Sequence, residues 1–545
     1  MGTAIGKDEF DGGDYLRFQE RLEDSLCALG RLLERPGFGA GPATLGAELE
    51  LVLIDGAARP LPHNQAVRVA VADSRVNVEQ SRFNLELNAS PAPVAGRPFT
   101  MLGDELNLLL GRVAQAARQY GGRVTLIGIL PTLCSADLQP GMITDAARYR
   151  ALDRGVRRLR QGPVRIRIAG QDPVDMVSED LAPDGATTSF QVHLRVDPAD
   201  FTRMYNAVQL ATAPVLAVSG NSPLFLGHRL WPETRIALYK QAIDDRPGHG
   251  PRRQPGRASL GRGWLRGGAL ELFTQSVRLH QPLLPVLSGT GPLADGTGPY
   301  PPALDELRLH QSTVWRWNRA IYDPAAGGHL RIEMRALPAG PTVIDMLANA
   351  AFLIGLSLWL AEQDQRWTYV LPFERADHSF YRAAQQGLSA QLSWPAADRD
   401  QIRTVPAAEL VAELVPAARQ GLVQVGVVAA EADSLLDVIA ERAASGQTGA
   451  AWQLAALDAA ERRHDRQHAL AVMLERYVQC ADIGLPVHTW PAADRTTSPA
   501  VPRKTAGAVS YRGDRAGTAR RAVGFRRSGR VGTAVRLRGG VAGAL

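Results

Sequence analysis

Four short segments of the chain alternate polar and apolar residues with a period of two, and in a β-strand that period sends successive side chains to opposite faces. In residues 45–54 (LGAELELVLI) Glu48 and Glu50 share one face, while Leu49, Leu51 and Leu53 take the other. The two carboxylates are then about 6 to 7 Å apart along the strand. In residues 83–88 (FNLELN) Asn84, Glu86 and Asn88 lie opposite Phe83, Leu85 and Leu87. In residues 189–196 (SFQVHLRV) Ser189, Gln191, His193 and Arg195 alternate with Phe190, Val192, Leu194 and Val196. In residues 330–337 (LRIEMRAL) Arg331, Glu333 and Arg335 oppose Leu330, Ile332 and Met334.

Any one of these could be the wet face of an ordinary antiparallel sheet. Taken together, the polar faces collect Glu, His, Asn, Gln and Arg. Carboxylates with one imidazole suit a hard divalent cation, and neighbouring arginines suit phosphate oxygens in bidentate geometry. The set reads as a metal-phosphate site. No G-x-x-x-x-G-K-[ST] loop occurs, so a nucleotide would be held through its metals. Neither H-E-x-x-H nor G-x-S-x-G occurs, which removes the usual support for a zinc protease or a serine hydrolase. A glycosidase would use paired carboxylates but would leave the arginines and the histidine unexplained.

The rest of the chain sets the frame. Residues 15–33 (YLRFQERLEDSLCALGRLL) predict an opening amphipathic helix. Strand-like segments then dominate to about Val196, interrupted by a helix over about residues 101–120. Residues 248–264 and 289–302, rich in Gly and Pro, predict loops. From about Pro338 to Ala481 the pattern is helical, and the fold class is α+β. The apolar run Val343–Ala361 is long enough to raise the question of a membrane span, but Asp345 and Asn349 interrupt it, and a buried core helix is expected. Trp315, Trp317 and Tyr322 read as core.

The net charge of +6 would suggest a polyanionic partner if it were spread over the fold. However, residues 491–545 hold 12 of the chain's 61 Arg/Lys and only 2 of its 55 Asp/Glu, so the remainder is mildly acidic, about −4. Nucleic-acid binding is therefore expected only non-specifically, through this tail. The tail's Arg, Gly, Ala and Thr cannot bury a core and predict disorder. It reads either as a flexible basic extension or as an out-of-frame product of an Arg-rich gene. Cys27, Cys134 and Cys480 are far apart and show no C-x-x-C spacing, so neither a disulfide framework nor a zinc site is indicated. With no signal-peptide pattern at the start, the expected location is cytoplasmic. Oligomeric state is left open.

The segments GAELELVLI, FNLELNASP, TSFQVHL and LRIEMRALPAGPTVIDMLANAAFLIGL, in this order, resemble motifs of the glutamate-cysteine ligase family, in its bacterial carboxylate-amine ligase branch. The resemblance spans roughly residues 15 to 490 and ends at PVHTW, residues 486–490. It implies one catalytic domain over residues 1–490 with a glutamine-synthetase-like fold: a curved antiparallel sheet forming a funnel, with helices packed behind and a helical C-terminal part. It further implies Mg²⁺ held by Glu48, Glu50, Glu79, Glu86, His193 and Glu333. Arg335 is implied at the transferred phosphoryl group together with Glu333, and Arg235, Asn88 and Arg331 in substrate binding. The implied reaction joins the γ-carboxylate of glutamate to an amine, cysteine by default, with ATP as co-substrate and an acyl phosphate as intermediate. A catalytically inactive homologue that binds nucleotide or amino acid and regulates a partner is the alternative. If the tail binds nucleic acid, a chain ending at Trp490 loses salt-sensitive binding in a filter assay, and unchanged binding would exclude the tail.

Overall fold

The computed structural model describes residues 5–247, 254–289, 300–396 and 401–491. The tail from residue 492 and most of the loop at residues 289–302 lie outside the described residues, as does part of the loop at 248–264. Seven strands, numbered here in chain order, build the main sheet: β1 (Thr44–Ile54), β2 (Val76–Val78), β3 (Asn84–Pro93), β4 (Arg123–Thr125), β5 (Phe190–Val196), β6 (Asn318–Asp323) and β7 (His329–Met334). Their order is β6-β7-β5-β1-β3-β2, with β4 paired to the last three residues of β1. Every pairing is antiparallel, and the sheet curls into an open half-barrel. A register shift between Leu45 and Ala47 interrupts the β1–β3 ladder, a feature that bends a strand and increases its twist.

The apolar face of this sheet is the floor of the main core. Leu49, Leu51, Leu85, Leu87, Phe190, Val192, Ile332 and Met334 are all buried there, with helices Phe201–Ser219 and Val343–Ala361 contributing to the same cluster. Burying such side chains contributes roughly 1.5–3 kcal/mol each. On the other face the polar stretch of β1 ends at Glu50. Val52 and Ile54 continue its alternation but are covered by a second core that includes Trp452, Tyr477 and Trp490.

Helix Val343–Ala361 is the apolar run noted above, and it is buried within the fold. It packs against helices Phe201–Ser219, Ala407–Gln424 and Ala429–Ser445. Against the second of these the two backbones touch: a Cβ on Gly355 would stand 2.3 Å from the Ala418 carbonyl oxygen, and one on Gly421 2.1 Å from that of Gly355. The two polar interruptions have partners. Arg442, itself buried, donates to Asp345 Oδ1 at 2.7 Å and to Asn349 Oδ1 at 2.6 Å. The Thr342 hydroxyl caps the helix by accepting from the Asp345 N–H, and the Val487 N–H donates to the same carboxylate at 3.1 Å. The PVHTW segment is thereby tied to the core helix.

The helix expected at 15–33 runs Gly12–Leu33, started by an Asp11/Asp14 capping box, and the one expected at 101–120 runs Pro98–Arg118. Two further helices, Asn64–Val71 and Ala147–Arg160, lie where strands were expected. In the latter (ARYRALDRGVRRLR) six arginines mask a helical apolar stripe of Ala151, Leu152 and Val156. A hairpin, Gln391–Pro395 with Ile402–Pro406, interrupts the expected helical half. Trp317 and Tyr322 are core as expected, whereas Trp315 is only partly buried and faces a cavity.

Replacing Arg442 with Ala would leave the Asp345 carboxylate buried without its cation. The expected loss is about 3–5 kcal/mol, read as a lower urea midpoint with an unchanged slope; a midpoint equal to wild type would show that the Thr342 and Val487 contacts suffice.

Candidate active site

Strand pairing converts the sequence alternation into three rows of side chains running across the sheet. In the first row Arg319 on β6 lies opposite Glu333 on β7, Glu333 opposite His193 on β5, and His193 opposite Gly46 on β1. In the second, Gln191 on β5 faces Glu48 on β1, which faces Asn88 on β3. In the third, Glu50 on β1 faces Glu86 on β3, which faces Asn77 on β2. Adjacent strands are about 4.8 Å apart, so the rows hold these groups within reach of a shared ligand. They are not a wet face: Glu48, Glu86, His193 and Glu333 are each at least nine-tenths buried.

The first two rows meet at a cluster. His193 Nε2 is 3.3 Å from Glu48 Oε1 and 3.9 Å from Glu333 Oε1, and the three donor atoms lie within 4.8 Å of one another. Glu333 is gripped by Arg319 through two contacts, 2.6 Å to Oε2 and 3.0 Å to Oε1, and Arg335 Nη1 is 3.3 Å from Oε2. Burial pushes the Glu333 carboxyl up, but the charges of Arg319 and Arg335 outweigh it and hold it well below the usual carboxylate range. Arg335 is also fixed by Gln191, whose Oε1 accepts from Nη1 at 2.5 Å.

The third row has the opposite character. Glu50 accepts from the Ser189 N–H at 2.6 Å and from Gln191 Nε2 at 3.1 Å, yet burial, reinforced by the charge of Glu86, pushes it up to about 7. Glu79, just past β2, is raised well above its ordinary value by burial and by the charges of Glu86 and Glu50. Carboxylates that repel one another in a buried site are held apart by protons or drawn together by a cation.

These residues fit a divalent cation. Carboxylate oxygens and one imidazole nitrogen converge, and the buried His193 Nε2 has no hydrogen-bond partner. The other ring nitrogen is engaged: Arg331 Nε donates to His193 Nδ1 at 3.2 Å. A guanidinium can only donate, so this contact assigns the lone pair to Nδ1 and the ring proton to Nε2. Ligation through Nε2 therefore requires Arg331 to release the ring and rest on Asp323, to which Nη1 already donates at 2.6 Å.

Above the rows opens a cavity of about 560 Å³, within the range of small-molecule sites. Glu48, Glu50, Glu79, Glu86, Arg319 and Arg335 line its sheet side. Its other walls include Arg148 and Tyr149 from helix Ala147–Arg160, Tyr239 from helix Thr234–Ala242, Asp184 and Trp315.

This region is covered by a family model. The chain belongs to glutamate-cysteine ligase family 2. The match runs over residues 44–472, from the first residue of β1 into helix Arg466–Asp482, and so takes in the whole sheet. Similar solved structures include a glutamate-cysteine ligase from Francisella tularensis in complex with AMP, at 12% identity and a TM-score of 0.48, covering 84% of this chain and 91% of that one. A bifunctional glutathione synthetase from Pasteurella multocida is similar at 11% identity and a TM-score of 0.47, covering 84% of this chain but only 53% of its own. A search of curated proteins found no match.

Within this family member, the structure brings Glu48, Glu50, Glu79, Glu86, His193, Glu333 and Arg335 together. It does not bring Arg235 to the cavity wall. That guanidinium is buried, donating to Glu233 Oε1 at 3.0 Å and to the Ala336 carbonyl, because Arg235 sits in the first turn of helix Thr234–Ala242, beside Glu233 and just past the end of β7. Asn88 is likewise off the cavity, spending its amide on Glu86 Oε1 at 2.6 Å. Arg331 is held by Asp323 and His193. Sequence reading missed Arg319, Arg148 and Asp184. For Arg319 a signal existed, since NRAIYD pairs with HLRIEM across a short hairpin; the other two stand on elements whose approach to the sheet has no local mark.

Because Glu50 and Glu79 bind protons more tightly folded than unfolded, the metal-free protein should lose stability as pH rises from about 4.5 through about 7. A cation that replaces those protons stabilises most where they are gone. Added Mg²⁺ is therefore expected to raise Tm more at about pH 8 than at about pH 6, and an equal rise at both would show that the acidic row takes no part in cation binding.

Proposed function

We propose that this chain is an ATP- and Mg²⁺-dependent carboxylate-amine ligase that joins the γ-carboxylate of glutamate to an amine, cysteine being the default, through an acyl phosphate. The observation that carries the reading is the buried Glu48–His193–Glu333 cluster standing beside Arg335 under a cavity of substrate size. Family membership supports the same class. Such a reaction asks little covalent chemistry of the protein and much positioning.

In this reading Glu48, His193 and Glu333 hold one cation site, and Glu50, Glu79 and Glu86 a second. Bound Mg²⁺ supplies charge neutralisation for the phosphates and the attacking carboxylate. Arg335, clamped between Gln191 and Glu333, keeps a preset direction toward the transferred phosphoryl group, so no reorganisation is needed when charge develops there. Arg319 has both carboxylate oxygens of Glu333 on its fork, and its work is to hold that ligand in place. Arg148, on the cavity wall, takes the substrate-carboxylate role first assigned to Arg235. Tyr149, Tyr239 and Trp315 shield the reacting groups from water. Substrates and products are small molecules, and a cytoplasmic setting supplies ATP and glutamate.

The test is phosphate release by purified full-length protein with ATP, Mg²⁺, glutamate and a panel of amines. Amine-dependent release is expected with at least one, and none with any would favour the inactive regulatory homologue. Arg335→Ala should reduce release on the order of 10³-fold or more with Tm little changed. Glu333→Gln should abolish release and also lower stability, by about 3–5 kcal/mol, because buried Arg319 loses its counter-charge; a wild-type Tm in this variant would count against that pairing as a structural element.

A further inference from the structure

The carboxylates around the cavity differ in how they are satisfied. Glu48 lies against His193, Glu50 accepts from Ser189 and Gln191, Glu86 from Asn88, Glu79 from the Gln80 N–H, and Glu333 from Arg319. Asp184 has no such partner. It lines the same cavity, its Oδ1 is shut off from solvent, and that oxygen receives no hydrogen bond. Among the described residues no Lys, Arg or His makes an ion pair with it.

The position of Asp184 is nevertheless built. The single turn Asp184–Ala186 is closed by the Thr187 N–H and hydroxyl, both donating to the Asp184 carbonyl oxygen, at 3.1 and 3.0 Å. Next to it, the Gly185 carbonyl accepts from Ser81 Oγ at 2.9 Å and Asn84 Nδ2 at 2.8 Å, which pins the turn to the start of β3. A side chain on Gly185 would collide with Ser81, its Cβ standing 2.1 Å from Oγ. The turn also packs on helix Thr234–Ala242, which brings Tyr239 to the same stretch of wall. Trp315 stands edge-on to that phenol, with ring centroids 6.4 Å apart at 87°.

A partly buried carboxylate whose shielded Oδ1 has no partner, on the same cavity wall as two aromatic rings, is a site for a cation that brings its own N–H donors. Metal is the poorer fit: Asp184 lies outside the Glu48–His193–Glu333 donor group and, unlike Glu50 and Glu86, stands on a turn off the strand rows. An organic ammonium instead satisfies the carboxylate by hydrogen bonding and meets the ring faces by cation–π attraction. We propose that Asp184, with Tyr239 and Trp315, forms the subsite that binds the ammonium group of the acceptor amine. The ligase reading above supplies the reason such an amine enters; the binding itself does not depend on turnover.

The test uses full-length protein with Mg²⁺ and ADP, titrated calorimetrically with methylammonium chloride, with tetramethylammonium chloride, which has no N–H, as the control. Wild type is expected to bind methylammonium, Asp184→Asn to bind it at least about ten-fold more weakly, and Asp184→Glu to recover part of the loss. Mn²⁺ affinity, followed by electron paramagnetic resonance, should stay within about two-fold of wild type in both variants, since no metal contact is removed. Unchanged methylammonium binding in Asp184→Asn, no binding by wild type, or tetramethylammonium binding as tight as methylammonium would overturn the proposal, as would a ten-fold loss of Mn²⁺ affinity, which would make Asp184 a metal ligand. If methylammonium binding depends on Asp184 while no amine elicits phosphate release, the subsite stands and the ligase reading falls.

Discussion

The paired grip of Arg319 on Glu333 makes the rest of the site possible. A sheet face carrying Glu48, Glu50, Glu86 and Glu333 cannot be buried by hydrophobic packing alone, because each isolated carboxylate would give up its charge before giving up water. Buried Arg319 and partly buried Arg335 keep Glu333 ionised, and the cluster with His193 is arranged around it. One row further along β1, burial and the repulsion between neighbouring carboxylates raise Glu50 and Glu79 above their ordinary values. The face is therefore graded, compensated by arginine at one end and dependent on protons or cations at the other.

Such a gradient needs a rigid floor. The rows keep their spacing because the opposite face of the central strands is locked in the apolar core, and the core is closed by a helix whose Asp345 and Asn349 side-chain oxygens accept from buried Arg442. Backbone contact between Gly355 and Gly421 leaves no slack between that helix and the next. Side chains borne on strands held this way are positioned more closely than loop residues could be. The walls of the cavity are different in kind: Asp184 comes from a short turn and Arg148 and Tyr149 from a polar helix, which suits elements that meet varied substrates.

Much of the sheet-borne site was legible because a strand states its two faces in its own sequence. Glu48, Glu50, Glu86, His193, Glu333 and Arg335 could be placed on one face from alternation alone, and the structure sets the first five in adjacent rows, with Arg335 just past β7 beside Glu333. Arg235 was misplaced because an arginine in a segment such as WPETR has no periodicity to say whether it meets a ligand or a neighbouring carboxylate; here Glu233, two residues away, takes it. Alternation places Glu333 on the polar face, and its burial and pairing with Arg319, which no local pattern marks, make it structural as well.

The sequence by itself determined which residues share a face, where the apolar core helix lies and that the basic charge belongs to residues 491–545, because period, run length and composition are local properties of a chain. Tertiary structure alone decided strand order, and with it which carboxylates meet an arginine and which meet one another. It also decided that helix Ala147–Arg160, the turn at Asp184 and Tyr239 close over the polar rows. Those outcomes depend on contacts between residues far apart in the chain, whose energies come from burial and charge pairing that exist only once the sheet has assembled.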